Sequence, residues 1–306
     1  MSPQLTRTLA QLVTEFLSRP SLSPQTVKSY EFTLIPLLTE SGSFPLEIIT
    51  VNLLEDYLNA LTHLSYTTKK RHYTIISSLF NFAVKKDYLK ANPMLAITLG
   101  QPLRQQGEHL TDSRIRYLTT EQLQVLYQLL LPDVRLHTLV CLLHRTGARI
   151  SEILALDLEQ VNLDKRKFEV VGKGNKKRWC FYSQDAAFLL DKYIHFYRYT
   201  THPALFTARH PVTFQVTRLS YSYTYSLWRN LIAQSPLLQG IRLHDLRHTF
   251  ATERVGLMGI EELRALMGHE HIETTLRYQK VTSQRAELIA HKALELLINE
   301  SPQTLV

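Results

Sequence analysis

Apolar residues recur at three- and four-residue intervals through the first hundred positions, the period of helices that each bury one face. The opening MSPQLTRTLAQLVTEFL reads as an amphipathic helix with a polar start and carries no cleavable signal pattern. Ser23-Pro24 joins a capping hydroxyl to proline at the first helical position, so a helix begins there. Its apolar spacing runs to Leu38, and Pro36 is expected to kink or end it. Further helices are predicted over residues 51–61 and 66–84, before Asn92-Pro93 stops the pattern. Together these make a small bundle of four or five short helices.

From 100 to 114 the chain (GQPLRQQGEHLTDSR) is polar, aperiodic and broken by Gly and Pro, as a linker is. A second helical series opens at Thr119, whose spacing to Gln122 is that of a capping box. Helices are predicted over 120–131, 134–146 and 150–156. The period then shortens. Residues 161–163, 168–171 and 178–182 are β-prone runs split by turn-forming segments, the pattern of a three-stranded meander. Helical spacing resumes over 183–198, 221–233, 244–256, 259–266 and 272–279. A last amphipathic helix is predicted over 284–298. Its stripe of Leu288, Ile289, Leu294, Leu297 and Ile298 suits a neighbouring molecule as well as its own domain. The fold class is therefore mainly α, with a small three-stranded antiparallel β-sheet in the C-terminal domain. The expected domains are a helical bundle over 1–98, a linker over 99–115 and a second domain over 116–306.

Composition narrows the choice of partner. The formal net charge is +8, and nucleic acid is the commonest partner of a basic protein inside the cell. The first 98 residues hold 9 Lys/Arg against 7 Asp/Glu and the remainder 26 against 20, so the basic side chains belong to folded surfaces rather than to a charged tail. No apolar run approaches the roughly 20 residues of a membrane-spanning helix, and a cytoplasmic protein is expected. Cys141 and Cys180 lack C-x-x-C spacing and read as packing residues, not as a disulfide or a zinc site.

Four stretches concentrate polar residues that a core would not request. In Thr146-Gly147-Ala148-Arg149-Ile150-Ser151-Glu152, Arg149 and Glu152 share a helix face, which on its own fits a surface ion pair. Gly172-Lys173-Gly174-Asn175-Lys176-Lys177-Arg178 is a hairpin tip. It is either a solvated basic turn or a lysine aimed at a phosphate, with Lys176, Lys177 and Arg178 as further backbone contacts. His244, Arg247 and His248 lie at i, i+3 and i+4. A cation between imidazoles disfavours a metal and favours an oxyanion, with His248 assigned to the core. Met267-Gly268-His269 ends a helix and leaves His269 at an exposed turn, nine residues before Tyr278. By itself Tyr278, one of 15 tyrosines, reads as packing.

In order, Arg149, Lys173, His244-x-x-Arg247, His269 and Tyr278 resemble the active-site signature of the tyrosine recombinase (phage integrase) family. TGARISEILAL resembles its first arginine box, GKGNKKR its β-hairpin lysine, and HDLRHTFAT with MGHEHIETTLRY its second box. The chain departs from the family pattern at Glu270-His271 and at Gln279-Lys280-Val281, and residues 202–220 match loosely. In size the chain is most similar to the Xer-type recombinases. The resemblance implies a two-domain clamp on double-stranded DNA, with residues 1–98 as the core-binding domain and 116–306 as the catalytic domain. It implies that Tyr278 attacks a phosphodiester, leaving a 3′-phosphotyrosyl enzyme and a free 5′ hydroxyl. Arg149 and Arg247 would hold the non-bridging oxygens and Lys173 would protonate the leaving oxygen. His244 would assist proton transfer, His269 would bind the phosphate and Glu152 would orient Arg149 or His244. No metal, ATP or other cofactor is implied. The implied assembly is a tetramer on two DNA sites, built from this chain alone or with a homologous recombinase. The implied task is dimer resolution, or integration and excision of an element. A nicking and closing activity like that of type IB topoisomerases shares the same residue logic, and a non-catalytic DNA-binding protein is the reading from another class.

Overall fold

The computed structural model describes residues 7–100, 115–172, 175–279, 290, 291, 294 and 295. The chain divides into two units, residues 1–109 and 110–306. The first holds α1 (Leu9–Leu17), α2 (Pro24–Ser41), α3 (Val51–Ala60) and α4 (Tyr66–Lys85). Each begins on a hydroxyl residue, Thr8, Ser23, Thr50 or Ser65, whose side chain accepts from the amide three positions on. That settles a donor which the first helical turn leaves unpaired. The apolar stripes then close on one another, and Leu12, Phe16, Leu34, Leu37, Leu54, Ile76, Leu79 and Phe80 are fully buried.

Pro36 neither ends α2 nor stops it at Leu38, since the helix continues to Ser41. Proline removes one backbone hydrogen bond, but Leu34 and Leu37 on either side are locked in the core and carry the helix through the gap. Asn92 stops the run of helices, as expected. It caps the turn Pro93–Ala96, accepting from the Met94 amide at 2.9 Å and donating to Asn81 Oδ1 at 2.8 Å.

The second unit starts with α5 (Thr120–Leu130), opened by the Thr119–Gln122 capping box. The helices α6 (Val134–Thr146) and α7 (Ile150–Ala155) follow. The strands β1 (Val161–Asn162), β2 (Lys167–Val171) and β3 (Lys177–Phe181) form the antiparallel sheet, with Phe168 opposite Cys180 and Val170 opposite Arg178. Next come α8 (Gln184–Phe196), β4 (Thr207–Arg209), β5 (Val216–Arg218), α9 (Tyr221–Ile232), α10 (Leu243–Arg254), α11 (Ile260–Met267) and α12 (Ile272–Leu276). The core is built around α6, which is buried on nearly every side, and Cys141 and Cys180 are buried in that core as free thiols. Phe250, Ala251, Leu263, Met267 and Tyr278 make a smaller cluster beside it.

The hairpin β4–β5 has no counterpart in the sequence expectation. Its strands are three residues long, too short for an alternating pattern to register. It is anchored from elsewhere, because the Arg218 guanidinium reaches Leu154 O, Leu156 O and Asp157 Oδ1 at 2.9, 2.8 and 2.6 Å. Most of the helix expected over 284–298 lies outside the described residues, including Leu288, Ile289, Leu297 and Ile298; Leu294 is exposed. Among the described residues no helix is long and apolar enough to cross a membrane.

Candidate active site

Two helix ends and one buried guanidinium form the base of the site. Gly147 ends α6 with φ of +64°, and a Cβ there would lie 2.4 Å from the Phe250 ring. Both the left-handed turn and the close approach of α10 therefore require glycine. Gly268 ends α11 in the same way, with φ of +61°. Arg247, on α10, spans the two ends: Nη1 donates to Gly147 O and Nη2 to Met267 O, both at 2.5 Å. The negative ends of two helix dipoles thus hold a cation that is only 3% exposed. Burial, with Arg149 and Arg178 nearby, still pulls its pKa down to about 10.

Glu152 gathers the other two guanidiniums. It accepts from the Arg149 amide (2.7 Å) and Nη1 (2.9 Å), and from Arg178 Nη1 and Nη2 (2.8 and 2.7 Å). Burial opposes its ionisation, but these bonds and charges prevail and set its pKa at about 2. Glu152 therefore orients Arg149, one of the two partners expected for it. Arg178 departs from the outward DNA contact expected of it. Its side chain folds inward, and Nε also donates to Leu266 O at 3.0 Å. The reason is strand alternation, since Arg178 points to the covered face of β3 while Lys177 and Trp179 point to solvent. Lys176 and Lys177 are exposed, 3.2 and 2.9 Å from Glu270 and Glu169. Lys173 lies outside the described residues.

Tyr278 is 3% exposed, and its hydroxyl hydrogen-bonds His248 Nδ1 at 2.8 Å. His248 is thus not the core histidine the sequence suggested; it faces the phenol. The exposed His244 meets it edge-on, with ring centroids 4.7 Å apart. His269 is half-buried rather than exposed. It stacks on Tyr278 at 6.3 Å and 5°, with Nδ1 bonded to Thr275 Oγ1 at 2.9 Å. Burial, followed by the arginines, holds His269 near a pKa of about 3. Burial raises the Tyr278 pKa, while Arg247, Arg277 and Arg149 pull against it.

The same arrangement of residues has relatives. Residues 116–285 match the phage integrase family, and residues 8–99 match the phage integrase SAM-like domain. The chain belongs to the phage integrase family. It is 28% identical over 286 residues to tyrosine recombinase XerC of Lactobacillus delbrueckii subsp. bulgaricus, covering 90% of this chain and 94% of that protein. It is 26% identical to tyrosine recombinase XerD of Lacticaseibacillus casei, over 72% of this chain and 75% of that one. In fold it is similar to the Tn1549 transposon integrase in complex with transposon right end DNA, with a TM-score of 0.71 at 18% identity over 94% of this chain and 100% of that one. It is also similar to a lambda integrase dimer bound to a COC′ core site, with a TM-score of 0.69 at 16% identity over 90% and 97%.

This phage integrase family member is a tyrosine recombinase of the Xer type, an enzyme of site-specific DNA cleavage and rejoining. Its site holds Arg149, Arg178 and Arg247 around Glu152, while the buried Asp245 is taken up by Arg242 at 2.8 Å. A surplus of positive charge beside a buried phenol suits a phosphodiester in the water-shielded space where such charge acts most strongly. Sequence reasoning missed His248 and the inward role of Arg178. The i, i+4 spacing of His244 and His248 was the available signal for the first. For the second it was the odd–even alternation along β3.

Proposed function

We propose that Tyr278 is the nucleophile of a strand exchange between two specific DNA sites. The observation that supports this most is the buried phenol set in the field of Arg247, Arg277 and Arg149, with Arg149 held by the Glu152 carboxylate. A phenol ionises near pH 10 and is a weak nucleophile until positive charge stabilises its anion. Arg149 and Arg247 bind the non-bridging oxygens and stabilise the charge that accumulates in the transition state. Arginine suits these positions because its fork matches two oxygens at once. His269 hydrogen-bonds the phosphate, His244 assists proton transfer, and Lys173 protonates the departing 5′ oxygen. The result is a 3′-phosphotyrosyl enzyme that stores the bond energy until a 5′ hydroxyl of the partner strand attacks.

Rejoining a strand to its own end changes nothing, so the working assembly is a tetramer on two duplexes, as in Xer-type dimer resolution or in movement of an element. Lys176, Lys177 and the basic surface contact the DNA backbone. The test incubates the protein with nicked duplexes carrying candidate sites and looks for adducts that survive SDS. Tyr278→Phe abolishes the adduct, and recombinant products arise only from paired sites. An adduct that persists in Tyr278→Phe refutes the nucleophile assignment. Nicking and closing without paired sites would instead indicate topoisomerase-like action.

A further inference from the structure

Three imidazole side chains stand around the phenol, and their engagements differ. His269 covers the phenol face but commits Nδ1 to Thr275 Oγ1. His244 is exposed and touches the ring of His248 rather than the phenol. His248, one turn farther along α10, directs Nδ1 at Tyr278 Oη from 2.8 Å, with the two rings 5.7 Å apart and inclined by 45°. A base must lie within about 2.6–3.2 Å of the atom whose proton it takes, and His248 meets that condition.

We propose that His248 is the catalytic base of the cleavage step, accepting the phenol proton on Nδ1 as Tyr278 attacks. This rests on Tyr278 being the nucleophile. In the step, Oη bonds to phosphorus and the bond from phosphorus to the 5′ oxygen breaks, leaving its electron pair on that oxygen. The phenol proton passes to His248 Nδ1, and the general acid of the site gives a proton to the 5′ oxygen. Religation reverses each transfer. A 5′ hydroxyl attacks phosphorus and returns its proton to the acid, the tyrosyl–phosphate bond breaks, and His248 gives its proton back to the phenolate.

The surroundings of His248 make this base conditional on substrate. Facing it are His244, Asp245 and Arg247 from α10, Arg242 from its N-cap, and Tyr278 and His269 from the segment after α11. Burial, and then the positive members of that set, keep it neutral down to a pKa of about 4. A phosphodiester held by Arg149 and Arg247 cancels part of that positive field and strengthens the base when DNA arrives.

The test measures single-turnover cleavage of nicked duplexes as a function of pH. In His248→Asn an amide oxygen stands where Nδ1 stood, so the hydrogen bond persists but the proton has no acceptor. Cleavage falls about 100-fold at neutral pH, and the deficit narrows roughly tenfold per pH unit as the phenol ionises unaided. A merely structural role would lower the rate equally at every pH. A wild-type rate with the wild-type pH profile in His248→Asn overturns the proposal. If Tyr278→Phe forms no adduct alongside that result, only the base assignment falls; an adduct in Tyr278→Phe removes the nucleophile and the base together. Nitrogen-15 NMR of the wild-type protein supplies a measurement that no misfolded variant can obscure. His248 is expected as the tautomer with its proton on Nε2, and a proton on Nδ1 overturns the assignment.

Discussion

In the N-terminal unit polar groups are settled at helix starts and the interior is almost entirely carbon. Among the described residues its buried polar side chains are Thr33, Ser41, His72 and Asn92, and burial lowers the pKa of His72. The C-terminal unit instead buries Glu152, Asp245 and Arg247, pairing the two carboxylates with guanidiniums and the arginine with backbone carbonyls at two helix ends. Taking an ion out of water costs several kcal/mol unless partners replace its hydration. The first unit avoids that cost and the second accepts it, with more positive than negative charge at the point where a phosphodiester would supply the balance. The contrast separates residues kept for stability from residues kept for chemistry.

The hardest blow to that contrast is Arg247→Lys. A lysine keeps the charge but cannot bond Gly147 O and Met267 O together while still presenting donors to a phosphate. Single-turnover cleavage is expected to fall about 1000-fold, in line with the loss of a preorganised donor, with DNA binding measured by mobility shift nearly unchanged. Were cleavage to survive within about tenfold, charge alone would suffice and the helix-end geometry would carry no catalytic weight.

The N-terminal unit was almost fully legible, because capping hydroxyls and apolar periodicity are local signals and both act in the same direction there. Pro36 misled because its effect on α2 is decided by Leu34 and Leu37 in the core, not by the proline. Among the described residues of the C-terminal unit the elements were again legible apart from β4–β5, which is held by Arg218 reaching across more than sixty positions of sequence. The site residues were named through resemblance, since singly each has an ordinary explanation. Periodicity signals orientation only once packing has fixed the phase of the helix or strand. His248 and Arg178 turned out to face the site because helix and strand phase, set by packing, aims them there.

Acid should separate the two units next. The unfolded chain protonates histidine near pH 6.5, whereas folded His248 and His269 resist until about 4 and about 3, so stability drains as pH falls below 6.5. Glu152 acts in a lower window. Its pKa is depressed to about 2 from 4.5, so its contribution is complete above pH 4.5 and is lost as pH falls through 2. With its side chain 4% exposed, that contribution is on the order of 3 kcal/mol. In the N-terminal unit His72 and Glu15, both with lowered pKa values, impose penalties of the same sign, but neither is joined to a buried cluster of charge. Both tryptophans, Trp179 and Trp228, lie in the C-terminal unit, so their fluorescence follows it while circular dichroism follows both. Urea midpoints should fall faster with acid by fluorescence than by circular dichroism. Equal slopes would mean that the buried charges do not set the acid limit.

The smallest effect tests the other side of the contrast. Ser23 Oγ accepts from the Thr26 amide at 3.1 Å and pairs with Thr26 Oγ1 at 2.8 Å, at the start of the longer of the two helices that open the N-terminal unit. Ser23→Ala leaves Pro24 to set the first turn but strands the amide, at a cost of about 1 kcal/mol. Because that unit relies on caps and apolar burial, the loss should lower its urea midpoint by circular dichroism. The tryptophan signal and the cleavage rate of bound complexes should stay where they were. Thr119→Ala, which removes the equivalent cap of α5, should move the tryptophan signal instead. If Ser23→Ala shifts the fluorescence midpoint as well, the two units unfold as one, and the division of labour between caps and buried charge belongs to the whole chain rather than to its halves.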